Sequence, residues 1–519
     1  MSLLPRASLI RFALLAMLLL AGVASGPAGA QTPVEDARAY RAAHEAQILQ
    51  DYADFLRLPN VSSDSADIRA NAEHIQQAFA QRGVETERLT VEGAPPVVTG
   101  TIRTPGATRT LGIYIHYDGQ PVDDDQWTHG PWTPTLYTGS MLDGGTPRAF
   151  PEPGETVDPE ARLYARSASD DKAPIAAFLT VLDALEEHGH ALTSNVVFYL
   201  DGEEEIGSPH LKTYLETHRD RFDDVDLWLF CDGPVHQSRQ PQIVYGVRGV
   251  TGMQLTVYGA RRSLHSGHYG NWAPVPGTLL ANLLASMKAP DGTIRIDGFY
   301  DSVAPIGPEE RAALDRLPPV DAMLKSDLAL AQTEGSDTAT IEERLLRPSL
   351  TVRGLSSGNV GAKTRNVIPS TATAALGVRL VEGNTPDGML DRVEAHVRAQ
   401  GYHVTRSTPT DAERRAHPKV AQITRGAGYP AFRTRMDHPL AQQVVAAAER
   451  ASDGNVLRVP TLGGTLPLFP FDEVLKAPGI IVPMANHDNN QHAPDENLRL
   501  ANLWYGVDLY AALLTMPSQ

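Results

Sequence analysis

The chain has 519 residues, 42% hydrophobic and 21% charged, the balance of a globular protein long enough for two domains. Its formal net charge is −17. That excess of acid argues against nucleic acid or an anionic membrane as a partner, since both bind basic patches.

The first thirty residues have a character of their own. Arg6 and Arg11 make a basic start, Phe12 to Val23 is almost wholly apolar, and Ala28-Gly29-Ala30 offers small residues before Gln31. This pattern predicts a signal peptide over 1–30, cleaved near Ala30, and so an exported protein, periplasmic or secreted. The apolar run is too short for a comfortable membrane span. The single cysteine, Cys231, excludes an intramolecular disulfide and reads as a small buried residue.

Amphipathic helices are predicted over Val34–Leu58 and Ile68–Gly83, the second ended by glycine. Leu111 to Ile115 is a buried-strand run that leads into His116-Tyr117-Asp118-Gly119, and Asp123 to Pro134 reads as a loop. Ile175, Phe178, Leu179, Leu182 and Leu185 have helical spacing. Val196–Leu200 and Leu227–Phe230 are two more buried strands, ending at Asp201-Gly-Glu-Glu-Glu205 and Cys231-Asp232-Gly233. Strands alternating with helices, each strand ending in acids or histidine, predict an α/β sheet with its site at the strand ends.

From about Gly249 the pattern changes. Met253–Tyr258 and Ala372–Val381 alternate like half-exposed strands, Ala281–Met287 and Met389–Gln400 are helical, and Pro305 to Arg347 is polar and irregular. The first style resumes near Tyr429, with a helix over Leu440–Ser452, a strand over Ile480–Met484 and a terminal helix over Leu500–Leu514. The expected architecture is an α/β catalytic domain over 36–248 and 429–519, with a mostly parallel central sheet flanked by helices. A smaller α+β domain over 249–428 interrupts it.

Five segments carry chemistry: His116-x-Asp118, Ser169-Asp170-Asp171-Lys172, the run ending Glu204-Glu205, Asp232 with its neighbours, and His492 with Glu496 four residues on. Each alone is weak, since a Glu run is usually a solvated face and Asp-Asp-Lys can simply cap a helix. Jointly, two histidines and several carboxylates at the ends of separate strands make an N/O donor set for divalent metal. The histidines favour zinc, and the donors suffice for two ions about 4 Å apart.

This order of motifs resembles the co-catalytic di-zinc peptidase family of carnosinases, aminoacylases and glutamate carboxypeptidases, and within it the carnosinase-like dipeptidase branch. The likeness runs from about residue 40 to the C-terminus. It includes His116-Tyr-Asp-Gly-Gln-Pro-Val122, Leu264-His-Ser-Gly267, Asn366-Val-Ile-Pro369 and Gly463-Gly-Thr465. The resemblance implies that Asp170 bridges two zinc ions, manganese or cobalt being alternatives. His116 and Asp232 then serve one ion, and Glu205 and His492 the other. Asp118 would orient a ligand imidazole, and Glu204 would be the general base on a metal-bridging water. It further implies His265 as oxyanion donor, supplied by the partner subunit in dimeric members, and Arg379 as clamp for a substrate carboxylate. Gly464 and Thr465 match a turn near the substrate. Ala165-Arg166-Ser167 and Ala173 depart from the family's glycines around Asp170, which leaves the local backbone shape there open.

The implied activity is metal-dependent hydrolysis of a peptide bond in dipeptides or short peptides, by a dipeptidase or carboxypeptidase type of enzyme. The insert would act as lid and dimerisation domain of a homodimer. Two rivals stand beside it: a deacylase of N-acyl amino acids on the same scaffold, and a non-catalytic periplasmic binding protein.

Overall fold

The strand Thr110–His116 has the sequence TLGIYIH, and every one of its residues is buried. Such a run fits the centre of a sheet covered on both faces. In the computed structural model of the protein, which describes residues 31–335, 339–454 and 456–517, that is where it lies. The predicted signal peptide falls outside the described residues.

The large sheet has eight strands, in the order Thr86–Leu89, Val97–Ile102, Asn195–Asp201, Thr110–His116, Leu227–Phe230, Gly479–Ile481, Gln242–Val244, Leu457–Val459. The four central strands, from Asn195–Asp201 to Gly479–Ile481, run parallel, and the strand next to them on either side pairs antiparallel. Parallel register sets His116 opposite Asp201, so the functional strand ends gather at one edge.

Alternation along these strands divides the core between two faces. Ile113, Ile115, Phe198 and Leu229 join one apolar cluster with the helices Pro33–Leu56, Lys172–Glu187, Pro439–Ala451 and Leu500–Leu514. Tyr114, Tyr199, Trp228 and Phe230 join the other, with helices Leu211–Thr217 and Leu468–Leu475. Gly112 permits this packing, because a Cβ there would sit 2.4 Å from the Trp228 ring.

A second sheet of five strands, in the order Ser349–Ser356, Thr371–Leu380, Gly249–Tyr258, Val420–Arg425, His403–Thr405, carries the helices Pro276–Met287 and Pro386–Ala399 on its buried face. The polar stretch read as irregular holds three short helices, Pro308–Leu314, Asp321–Asp327 and Ile341–Leu345. Each is too brief to show a periodic apolar face. Both sheets belong to one compact unit, Pro33–Gln519. Among the described residues no helix is long and apolar enough to cross a membrane.

Candidate metal centre and its cleft

Three strand-end segments, the segment before the helix Lys172–Glu187 and one late loop converge at the edge of the large sheet. His116 closes its strand and is fully buried, with Nε2 2.9 Å from Asp170 Oδ1 and 3.8 Å from Asp232 Oδ2. His492 Nε2 lies 3.0 Å from Asp170 Oδ2 and 3.3 Å from Glu205 Oε2. Two triads result, His116–Asp170–Asp232 and Asp170–Glu205–His492, each with ligand atoms within 4.8 Å of one another and with Asp170 in common.

Electrostatics shows what such a cluster lacks. Burial, reinforced by the charge of Asp170, pushes Glu205 up to about 8 and Asp232 up to about 6. Glu204 is driven well above the usual carboxylate range by burial and by Asp232, Glu205 and Asp170, against the opposing pull of His116. Burial would lower the His116 imidazole, but its hydrogen bonds with Asp118 and Asp170 hold it well above the ordinary histidine value. The hydrogen bond with Asp170 raises His492 to about 9 despite partial burial. The carboxylates crowd more negative charge than two imidazoles can balance, and divalent cations would supply the missing charge. The donor set therefore fits metal.

The supporting residues are held from further away. Asp118 is fully buried; its Oδ1 lies 3.4 Å from His116 Nδ1, and its carboxylate accepts from the backbone N–H groups of Glu204 and Glu205, both at 3.0 Å. Gln120 Nε2 donates to Glu205 Oε2 at 2.7 Å. Glu203 is no solvated acid: it is buried and accepts from the N–H and Nδ1 of His210.

Glu496 had no assigned role in the sequence, and it braces the segment that carries Asp170. Fully buried, it accepts from the N–H groups of Ser167, Ser169 and Asp170, from Ser169 Oγ, and from Arg166 at 2.7 Å. A small sheet of Asn497–Arg499, Arg162–Tyr164 and Thr135–Tyr137 brings it there. Ser167, at one of the departures from the family's glycines, keeps a left-handed φ of 61°. Its Oγ accepts from Asn60 Nδ2 at 2.9 Å, a bond that holds the turn without glycine.

A cleft of ≈ 540 Å³ opens on Asp170, Glu204, Asp232 and His492, and Arg379, Gly464 and Thr465 line it as well. Arg379 has no ion-pair partner among the described residues. His265 does not line this cleft. It is exposed at the start of a short helix, accepts from the Gly267 N–H, and packs its ring tilted against His268, with centroids 4.4 Å apart.

The model of a peptidase family, M20/M25/M40, matches residues 112–516. The chain belongs to this family. Its M20 relatives include the Cys-Gly metallodipeptidase dug1 of Schizosaccharomyces pombe, 25% identical over 479 residues, 88% of this chain and 92% of that protein. The human Beta-Ala-His dipeptidase is 25% identical over 547 residues, 99% of each chain. An M20 metallo-carboxypeptidase from Sulfolobus solfataricus, Sso-CP2, shares the fold with a TM-score of 0.73 at 24% identity, covering 90% of this chain and 98% of its own. Human carnosine dipeptidase 1 does so with 0.72 at 20% identity, covering 93% and 98%.

The M20 relatives correct one expectation. Those from fission yeast, human and budding yeast belong to eukaryotes, whose cells have no periplasm, and nothing in these matches indicates an export signal. The signal-peptide and periplasmic assignment is withdrawn. It rested on the composition of 1–30 alone, and a basic start with an apolar run reports hydropathy, not destination.

Proposed function

We propose that this protein is a two-metal dipeptidase that hydrolyses the peptide bond of short substrates held between the metal centre and Arg379. The sharing of Asp170 by two triads, one of them fully buried, with Glu204 beside them in the same cleft, carries this reading. Metallodipeptidases among the M20 relatives support it.

His116, Asp170 and Asp232 would hold one divalent ion and Asp170, Glu205 and His492 the other, with zinc favoured by the imidazoles. Such ions, when bound, polarise the scissile carbonyl and acidify water. The protein's own groups do the rest. Glu204 accepts the proton of the attacking water and passes it to the leaving amine nitrogen. Its backbone N–H is fixed by Asp118, so its carboxylate is presented at a set place in the cleft. Arg379, in a strand of the insert and without an ion pair of its own, would take the substrate's terminal carboxylate with its planar fork. Gly464 and Thr465 would border the bound chain.

In this reading the segments 36–248 and 429–519 form the catalytic part and 249–428 the lid. His265 lies outside its own chain's cleft, so it would serve as oxyanion donor in the partner subunit's site. Exposed apolar residues near it and along the neighbouring strand, Trp272, Leu355, Val360 and Val367, would be covered in a homodimer.

The test is hydrolysis of a dipeptide panel beside N-acetyl amino acids, with and without chelator, by the wild type and Glu204→Gln. Chelator-sensitive dipeptide cleavage, lowered at least about 10²-fold in the variant, is expected. Cleavage of N-acyl substrates alone would make the protein a deacylase.

A further inference from the structure

The cleft has a second wall that the proposed chemistry does not use. His236, Gln237, Gln242, Ile341, Glu342 and Leu345 line it. The helix Ile341–Leu345 comes from the insert and is fixed at its start by a reciprocal pair of hydrogen bonds between Thr340 and Glu343. Leu345 packs on the Gly463 turn, where an added Cβ would meet its Cδ2 at 3.2 Å.

Glu342 sits on this helix with its side chain 10% exposed. Among the described residues its one ion-pair contact is His236, whose Nε2 lies 3.8 Å from Oε1, beyond hydrogen-bonding reach. His236 Nδ1 accepts from the Ser238 N–H at 3.1 Å, which leaves Nε2 to carry the hydrogen. That Nε2 is buried and makes no hydrogen bond, and the His236 side chain is 3% exposed. Burial alone would raise the Glu342 carboxyl, but His236 and local hydrogen bonds hold it below its ordinary value. No lysine or arginine among the described residues pairs with it. A nearly buried carboxylate with no lysine or arginine to balance it is an arrangement completed by a cationic ligand.

The surroundings specify that ligand. Ile341, Leu345 and Val459 give the cleft apolar walls, and Glu342 supplies an anionic end. A lysine or arginine side chain matches both, with an aliphatic stem and a cationic head. We propose that Glu342 is a specificity-determining residue that selects substrates with a long cationic side chain. His236, 3.8 Å from the Glu342 carboxylate, is then a positioning residue that acts on it electrostatically. The proposal rests on the dipeptidase reading, whose acids Asp170, Glu204 and Asp232 already lie at the reacting centre and leave Glu342 free for the side chain.

The test compares lysyl-leucine, norleucyl-leucine and glutamyl-leucine, which share one stem length or one backbone and differ in charge. The zinc-loaded wild type, Glu342→Gln and Glu342→Lys are assayed for kcat/KM. Zinc-loaded Glu204→Gln, with and without Glu342→Gln, is titrated calorimetrically with the same dipeptides. Wild type is expected to favour lysyl- over norleucyl-leucine by about 10–100-fold, the worth of a hydrogen bond to a charged group. Glu342→Gln brings that ratio towards one, and Glu342→Lys turns the preference to glutamyl-leucine, which a merely structural role would not do. His236→Gln raises KM for lysyl-leucine while kcat holds. Selective binding of lysyl-leucine without turnover would sink the dipeptidase reading and uphold this one. Absence of a lysyl preference in both binding and turnover overturns it. So does a preference that survives Glu342→Gln, or an equal loss on all three dipeptides, the sign of a contact to the shared α-ammonium group.

Discussion

The carboxylate of Asp118 accepts hydrogen bonds from the backbone N–H groups of both Glu204 and Glu205, each at 3.0 Å. One residue thus fixes two successive glutamates of different proposed roles, while its Oδ1 also faces His116 Nδ1 at 3.4 Å. Asp118→Asn replaces one acceptor oxygen by a donor and breaks at least one of these contacts. Metal affinity or kcat should fall about 10–100-fold, as for other residues that orient metal ligands. Metal titration and steady-state kinetics on the same preparation check this, and wild-type values in both would refute it.

Glu496 joins Arg166 to the N–H groups of Ser167, Ser169 and Asp170, all of them buried. Glu496→Gln leaves the buried Arg166 uncompensated and turns an amide donor toward other donors. Stability should drop by about 3–5 kcal/mol, the cost of breaking a buried pair by removing one partner. Urea unfolding measures it; a loss below about 1 kcal/mol would show that the brace does not hold the loop.

Removal of metal should destabilise the protein, because the carboxylates at the site lose the cations that balance them. Binding to the folded state alone contributes about 2.7 kcal/mol at a hundredfold excess over Kd. Thermal unfolding with chelator, then with zinc restored, should show Tm falling and recovering. An unchanged Tm would speak against a metal centre.

Glu394, away from the cleft, accepts from Arg398, Arg406 and Arg425 at 2.7, 2.6 and 2.9 Å. Burial would raise its carboxyl, but the three guanidinium groups bring it down to about 2. A folded-state value below the unfolded one means stability that is present above pH ~4.3 and lost as pH falls toward 2. Glu394→Gln should therefore cost about 1–3 kcal/mol at neutral pH, a figure kept modest because the arginine heads are partly solvated. The gap between variant and wild type should close as the pH is lowered through 4 to 2. A gap independent of pH would assign the loss to packing.

Much of this fold is legible in the sequence. The apolar runs around Ile113, Phe198 and Leu229 carry their own strand signal, and the terminal helix Leu500–Leu514 coincides with its predicted span. The strand Leu227–Phe230 does as well. His116, Asp170, Glu205, Asp232 and His492 stood out by their order; the parallel strands gather His116, Glu205 and Asp232, and loops bring Asp170 and His492 to them. Short strands such as Gln242–Val244 and Leu457–Val459 carry too few residues for a period to show, and pairing within the large sheet sets them.

What sequence alone determined was therefore local or ordered along the chain: the buried strands, the longer helices, the α/β class and the succession of histidines and carboxylates. Tertiary structure decided which distant groups meet. Glu496 reaches Asp170 across 326 positions, Glu342 faces His236 across two separate elements, and His265 stays outside its own cleft. The physical reason is that a hydrophobic period records which face a residue buries. The partner of a buried polar group is set by sheet order and by loops crossing between sheets, and no local pattern encodes that distance.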